Sequence, residues 1–213
     1  MSLVALFLTA WVVGFTGAAA PGPISTLVVT ESGRRGFWAG PLLTLGHALA
    51  EFALVLGLAF GLRSLLANAR ITPLIALVGG AFLVWMGIGT LRDALRRGSN
   101  PLAAAQQGKQ TRLGPAFAGL FASLANPYWF LWWSTVGASY VVISLEQGPR
   151  GLAAFYSGHI LSDLSWNSLL SFLMASGRRW LPQKAVQGFL ALAGLFLVGL
   201  GGYFVYSGLG QIL

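Results

Sequence analysis

Two short stretches of the sequence each place a histidine and a carboxylate four residues apart inside apolar surroundings. His47 precedes Glu51 in GHALAE, and His159 precedes Asp163 in GHILSD. Residues four apart share one face of a helix, so each pair can hold a common proton or ligand. Histidine gains or loses its charge near neutral pH, which makes both pairs candidates for proton binding. The whole chain has only two histidines and five acidic residues.

A carboxylate at the centre of a membrane helix costs about 2.5–3.5 kcal/mol on insertion. Glu51 and Asp163 are therefore expected to face a cavity or a partner. One interpretation is that each histidine simply neutralises its acid and pins two helices together. Another is a divalent metal site, because imidazole and carboxylate are ordinary metal ligands. Acid–base catalysis is a third, although no nucleophile such as serine recurs at a matched spacing in both stretches.

The composition predicts an integral membrane protein. Of 213 residues, 56% are hydrophobic and only 8% are charged, whereas soluble domains carry about 25% charge. The absence of cysteine excludes disulfides, thiolate metal sites and thiol redox chemistry. The net charge of +8 is explained by basic loops between apolar runs rather than by nucleic-acid binding. We expect the lipid bilayer as a partner, and neither a nucleic acid nor a cofactor.

Six apolar runs are long enough to cross a bilayer, which requires about 20 residues in a helix. The runs are 3–30, 37–62, 72–95, 115–145, 151–176 and 185–212. They are continuous rather than alternating, which disfavours β-strands. Pro21-Gly22-Pro23 interrupts the first run, and Asn126-Pro127 interrupts the fourth. The sequence therefore predicts an all-α integral membrane protein with six transmembrane helices, of which helices 1 and 4 are broken at proline.

The two helix breaks are candidate binding and gating elements. Proline removes a backbone donor, and the half-helix that restarts exposes N–H groups at a positive dipole end, which suits a carboxylate. Ser25 and Asn126 are the nearest side chains able to help. A simple packing kink is the alternative interpretation. We interpret Trp129, Trp132 and Trp133 mainly as lipid or interface packing.

The second half of the chain repeats the first. GAFLVWMG matches GLFLVGLG, just as GHALAE matches GHILSD and one broken run matches the other. Three runs in each copy require opposite membrane orientations, a plan typical of secondary transporters with a site near the midplane. We therefore predict repeats at 1–95 and 115–213, joined by a cytoplasmic linker at 96–114. The glycines of the third and sixth runs are interpreted as packing surfaces: Gly79, Gly80, Gly87, Gly89, Gly194, Gly199, Gly201 and Gly202.

The basic residues predict the orientation. Ten of the thirteen lysines and arginines fall in the connections after the first, third and fifth runs. The positive-inside rule places those connections in the cytoplasm, so both termini are predicted to be extracytoplasmic. No basic residue precedes the first apolar run, so this run is interpreted as a membrane segment and not as a signal peptide.

The motifs resemble those of the LysE/RhtB family of amino-acid exporters. The resemblance is carried by the PGP break, the GRRGFWAG turn, the acid in the second run and the NP break, and it covers nearly the whole chain. It implies a multi-pass protein of the bacterial inner membrane that exports an amino acid or a related small metabolite. Protonation of Glu51 and Asp163 is the basis for expecting exchange with protons.

These observations together predict a secondary transporter and not an enzyme. The expected site for substrate and protons comprises His47, Glu51, His159, Asp163, Asn126 and Ser25. The expected helix-break and gating residues are Pro21, Gly22, Pro23 and Pro127. The first alternative is an exporter of a divalent metal or inorganic cation that uses the two histidines and two acids as ligands. The second is an intramembrane enzyme or lipid-handling protein. A homodimer is left open.

Overall fold

The computed structural model describes residues 1–61, 71–95, 114–176 and 183–212, and all regular elements in these ranges are helical. The helices are α1 (Leu3–Ala18), α2 (Pro23–Arg35), α3 (Ala39–Ala59), α4 (Ile71–Leu95), α5 (Pro115–Leu124), α6 (Pro127–Trp132), α7 (Ala138–Leu145), α8 (Gly148–Ser176) and α9 (Gln183–Ile212). The all-α prediction is confirmed for this part of the chain. The predicted linker lies outside the described residues except for its last position.

Several helices are apolar enough for a membrane. By length and composition, the stretches that could cross one are Pro23–Ala59, Pro73–Leu95 and Lys184–Gln211. Two shorter apolar helices are Leu3–Ala18 and Pro115–Leu124. The first stretch contains two elements, because Gly36 takes a φ of 59° and ends α2 before α3 begins. These helices confirm the coarse prediction of a helical membrane protein.

The chain leaves the helical conformation at both proline motifs. Gly22 is extended, with φ −150° and ψ −178°, and α2 begins directly after it at Pro23. Asn126 is also extended, and its side-chain oxygen caps α6 by accepting the N–H of Tyr128 at 3.1 Å. Proline at the first position of a helix loses no intrahelical hydrogen bond, so it favours a fresh start there.

A π-helical turn, Trp133–Gly137, joins α6 to α7 and is not predicted by the sequence. A side chain at Gly137 would collide with the Trp133 ring, since a Cβ there would lie 2.3 Å from it. Glycine therefore allows the wide turn to fold back against the indole. Such turns are often found at functional sites, and this one adjoins the buried residues described below.

Two helix pairs make the same kind of contact in the two halves. α1 packs on α8, and α5 packs on α3. A Cβ on Gly46 in α3 would lie 1.6 Å from the carbonyl oxygen of Ala116 in α5. A Cβ on Gly158 in α8 would lie 2.3 Å from the carbonyl oxygen of Phe7 in α1. In each half, the glycine before the histidine thus allows close approach of the first helix of the other half.

Glycines also allow α4 and α9 to pack closely against each other. A Cβ on Gly80 would lie 2.8 Å from the carbonyl oxygen of Gly201, and one on Gly87 would lie 2.8 Å from that of Gly194. These contacts agree with the interpretation of the glycines as packing surfaces. Three other glycines make no such contact with the described residues, because none of their atoms lies within 4 Å of a Cβ built there: Gly89, Gly199 and Gly202.

Candidate functional site

The histidines and acids of the two repeated stretches meet in the protein interior. His47 Nε2 lies 3.1 Å from Glu51 Oε1 and 3.8 Å from Asp163 Oδ1. His159 Nε2 lies 3.3 Å from Glu51 Oε2 and 3.6 Å from Asp163 Oδ2. None of the four residues is more than 8% exposed. Each imidazole therefore lies between two carboxylates, one from its own helix and one from the other half of the chain.

Glu51 is held by two indoles as well as by the histidines. Trp129 and Trp133 donate their Nε1–H groups to Glu51 Oε1 at 3.0 and 2.9 Å. Hydrogen bonds to a charged acceptor are about twice as strong as neutral ones, and a low dielectric strengthens them further. Trp129 lies in α6 and Trp133 begins the π-helical turn. The two are four residues apart, so their indoles lie on the same side and reach the same oxygen.

The tryptophans correct the interpretation of these residues as lipid packing. Trp129 and Trp133 are 6% and 0% exposed, and Trp132 is 7% exposed. Trp132 stacks on His159 with ring centroids 4.6 Å apart and donates its Nε1–H to Thr16 Oγ1 at 3.1 Å. The sequence pattern did not reveal this, since a tryptophan cluster beside an apolar run suits a lipid-facing surface equally well.

His47 is bonded through both of its ring nitrogens. Nδ1 lies 2.6 Å from Ser123 Oγ, which is also 2.7 Å from the carbonyl oxygen of Gly119. Nε2 lies 3.1 Å from Glu51 Oε1 and 3.8 Å from Asp163 Oδ1, so it is the donor to Glu51. When the Ser123 hydroxyl donates to Gly119, Nδ1 is a donor as well and the ring is the imidazolium cation. In that form His47 balances one of the two carboxylate charges.

His159 and Asp163 are less completely satisfied. Nδ1 of His159 and Oδ2 of Asp163 are both buried without a hydrogen-bond partner, as is the second carboxylate oxygen of Glu51, Oε2. Asp163 lies 3.8 Å from His47 and 3.6 Å from His159, and both distances exceed hydrogen-bond length. The two carboxylates, which match in sequence, thus differ in environment, because Glu51 accepts several hydrogen bonds and Asp163 none.

The cluster forms one wall of a cavity of about 60 Å³, which is room for roughly four to six water molecules. Both helix breaks border the same cavity. The predicted site residues on its wall are Pro21, Gly22, Pro23, Ser25, His47, Glu51, Asn126, His159 and Asp163. Pro127 is not among them and lines a separate apolar depression with Phe130 and Phe204. The roles predicted for these residues in binding and gating remain predictions.

Asn167 belongs to the site but was missed by sequence reasoning. It is 2% exposed, lines the cavity, and donates its Nδ2–H to Thr44 Oγ1 at 3.0 Å. It follows Asp163 by four residues on α8, so His159, Asp163 and Asn167 share one helix face. That spacing was the available signal, but an asparagine is a weak signal without a structure.

A metal centre is the less favoured interpretation of the cluster. Ligand atoms of His47, Glu51 and Asp163 lie within 4.8 Å of one another, which is close enough for three ligands of one ion. However, both ring nitrogens of His47 already have partners, Nδ1 at Ser123 Oγ and Nε2 at Glu51 Oε1. Glu51 Oε1 already accepts from two indoles. The geometry therefore favours a cluster of charges and protons.

The chain matches known proteins over nearly its full length. A family model described as LysE type translocator matches residues 15–208. The putative amino acid efflux protein YcgF of Bacillus subtilis is 27% identical over 98% of this chain and 99% of its own. The threonine efflux protein of Escherichia coli is 28% identical over 95% and 98%. The arginine exporter protein ArgO of Serratia proteamaculans is 26% identical over 88% and 89%. No solved structure matches the chain.

Proposed function

The chain belongs to the LysE type translocator family, and on that premise we propose that it exports an amino acid or a related small metabolite across the bacterial inner membrane. A translocator moves a solute without transforming it, so the protein is a transporter and not an enzyme. Two relatives are named for the efflux of threonine and the export of arginine. Since these named substrates differ, the proposal is the amino-acid class rather than one member.

The proposed architecture is six transmembrane helices arranged as two inverted repeats, 1–95 and 115–213, with the linker 96–114 in the cytoplasm. Reciprocal packing supports it. α1 packs on α8 as α5 packs on α3. Where α4 meets α9, Gly80 contacts Gly201 and Gly87 contacts Gly194, and the matched stretches align Gly80 with Gly194 and Gly87 with Gly201. A twofold relation between the halves would produce this pattern, because each contact then has a counterpart.

The observation that carries the proposal is one cavity with opposite charge preferences on its two sides. The start of α2 borders the cavity, where Gly22 provides no side-chain cap and the first N–H groups of the helix lie beside Ser25. A helix N-terminus suits a carboxylate. Asp163 borders the same cavity and suits an ammonium group. A zwitterionic amino acid carries both groups on adjacent carbons.

The proposed coupling to protons is a competition at Asp163. His47 Nε2 lies 3.1 Å from Glu51 and 3.8 Å from Asp163, so a protonated His47 would pair with Glu51 and leave Asp163 as the second negative charge of the cluster. Either a proton or the ammonium group of the substrate can neutralise that carboxylate, but both cannot do so at once. The unpartnered Nδ1 of His159 offers a neighbouring position for the proton. Entry of protons would therefore displace the amino acid and drive its export.

Efflux from proteoliposomes tests this function. Vesicles containing the protein are loaded with labelled threonine, arginine or other amino acids, and efflux is followed with and without an acidic exterior. We expect export of at least one amino acid, faster with the acidic exterior. Asp163→Asn should slow efflux at least tenfold and remove its dependence on the pH gradient. Ser168→Ala, on the same helix but outside the cavity, is the matched control.

Two outcomes would overturn the proposal. One is unmodified efflux in the Asp163→Asn protein after normal insertion. The other is flux of a divalent cation such as Mn²⁺ or Zn²⁺ in place of any amino acid, which would restore the metal-exporter alternative.

A further inference from the structure

Among the described residues, the cavity wall contains three buried oxygen atoms that accept no hydrogen bond: Oε2 of Glu51, Oδ2 of Asp163 and Oδ1 of Asn167. Oε2 of Glu51 lies 3.3 Å from His159 Nε2, and two indoles already hold the same carboxylate through Oε1. Asp163 and Asn167 have no such donors and are 4% and 2% exposed. Both residues belong to α8 and are one turn apart, so they lie on the same side of that helix. Buried acceptors in folded proteins almost always have a donor, which indicates that a ligand supplies one here.

The side chain of Asn167 is held in position by the other half of the protein. Its Nδ2–H group donates to Oγ1 of Thr44 in α3 at 3.0 Å. The amide nitrogen is thereby used within the protein, and the carbonyl oxygen is left for the cavity. The pair therefore offers a charged acceptor and a neutral acceptor side by side, which suits a cation that has more than one N–H donor.

Asp163 lacks the indole donors of Glu51 because the two half-helices that begin at proline carry different residues at corresponding positions. Counted from the proline that opens each half-helix, Trp129 and Trp133 correspond to Ser25 and Val29. Two indoles therefore donate to Oε1 of Glu51. On the side of the cavity formed by α2, the corresponding positions hold a small hydroxyl residue and a valine that can donate no hydrogen bond. On that side of the cavity, room is left beside the acceptor oxygens of Asp163 and Asn167.

We propose that Asp163 and Asn167 together form the subsite for the ammonium group of the substrate. Glu51 is the anchor of the cluster and does not contact the substrate. The inference rests on the proposed export of amino acids and adds Asn167 as a residue that determines specificity. The subsite distinguishes an amino acid from the corresponding hydroxy acid, because a hydroxyl group carries no positive charge and has a single donor.

Competition for transport by matched ligands tests the subsite. An amino acid that the unmodified protein exports is identified first, with threonine and arginine as the initial probes. Inhibition of its efflux is then measured for alanine and serine and for their hydroxy-acid counterparts, lactate and glycerate. We expect the amino acids to inhibit at least tenfold more strongly in the unmodified protein, since hydrogen bonds to charged groups are worth about that factor. Asn167→Ala should raise the KM for the exported amino acid about tenfold and reduce the preference for amino acids over hydroxy acids.

Thr44→Val tests how far the hydrogen bond from Asn167 Nδ2 to Thr44 orients the amide. This variant removes that hydrogen bond and keeps the carbonyl oxygen, so the preference for amino acids should fall by less than in Asn167→Ala. An Asn167→Ala protein whose preference is unchanged would overturn the subsite while amino-acid export stands. Absence of any amino-acid efflux from the unmodified protein would instead overturn the proposed function itself.

Discussion

At the residue scale, the surroundings of a carboxylate matter more than its place in a sequence motif. Glu51 and Asp163 occupy equivalent positions in two similar stretches, yet only Glu51 accepts hydrogen bonds from two indole N–H groups. A carboxylate that accepts hydrogen bonds from the protein is stabilised in its charged form and is a poorer binding partner for a further group. The same charge left unsatisfied beside a cavity is available for a ligand or a proton.

Replacement of the indoles should measure how strongly Glu51 is anchored. Trp133→Phe removes one donor to a buried carboxylate, and we expect the free energy of unfolding to fall by about 1.5–3 kcal/mol. Trp132→Phe is the matched control, because its indole donates to the uncharged hydroxyl of Thr16 and its loss should cost about 0.5–1.5 kcal/mol. Unfolding in mixed micelles followed by circular dichroism gives both values. Equal losses would show that Trp133 contributes only its packing.

At the element scale, the glycine before each histidine determines how closely the halves approach. The backbone of α5 occupies the space that a side chain on Gly46 would need, and the backbone of α1 does so for Gly158. Backbone atoms cannot move aside as a flexible side chain does. These close contacts bring His47 and His159 to the interior, so the GH dipeptide serves packing and chemistry together.

Alanine at either glycine should push the paired helices apart. We expect Gly46→Ala and Gly158→Ala each to destabilise the protein by about 1–3 kcal/mol or more, since overpacking against backbone strains the fold. Gly89→Ala has open space around the new methyl group. It should be neutral or should stabilise its helix by up to about 1 kcal/mol. Thermal unfolding in detergent compares the three, and a Gly46→Ala protein as stable as Gly89→Ala would contradict the packing described for α3 and α5.

The helices were largely predictable, and the interior was only partly so. Continuous apolar sequence and two proline motifs indicated the helical stretches and their interruptions, because length and backbone chemistry suffice for that. The π-helical turn and the buried tryptophans were not predictable. In a membrane protein both lipid-facing and buried surfaces are apolar, so composition does not tell one from the other. Thr44 and Asn167 likewise meet only after α3 and α8 pack.

At the scale of the whole molecule, the proposed orientation is open to a direct measurement, because the chain contains no cysteine. Single cysteines can be introduced at Ser2, at Gln211 and at Ser99 in the linker. In intact cells, a membrane-impermeant maleimide should label Ser2→Cys and Gln211→Cys, whereas Ser99→Cys should react only after permeabilisation. The reverse pattern would place the basic connections outside and contradict the positive-inside assignment.

The stacking of Trp132 on His159, with ring centroids 4.6 Å apart, gives the protein an optical signal of its own. A protonated imidazole quenches the emission of an adjacent indole far more than a neutral one. Arrival of a proton at His159 should therefore dim Trp132, and the Trp132→Phe protein supplies the background from the other tryptophans. Stopped-flow mixing could then time protonation within a single turnover, without any added dye.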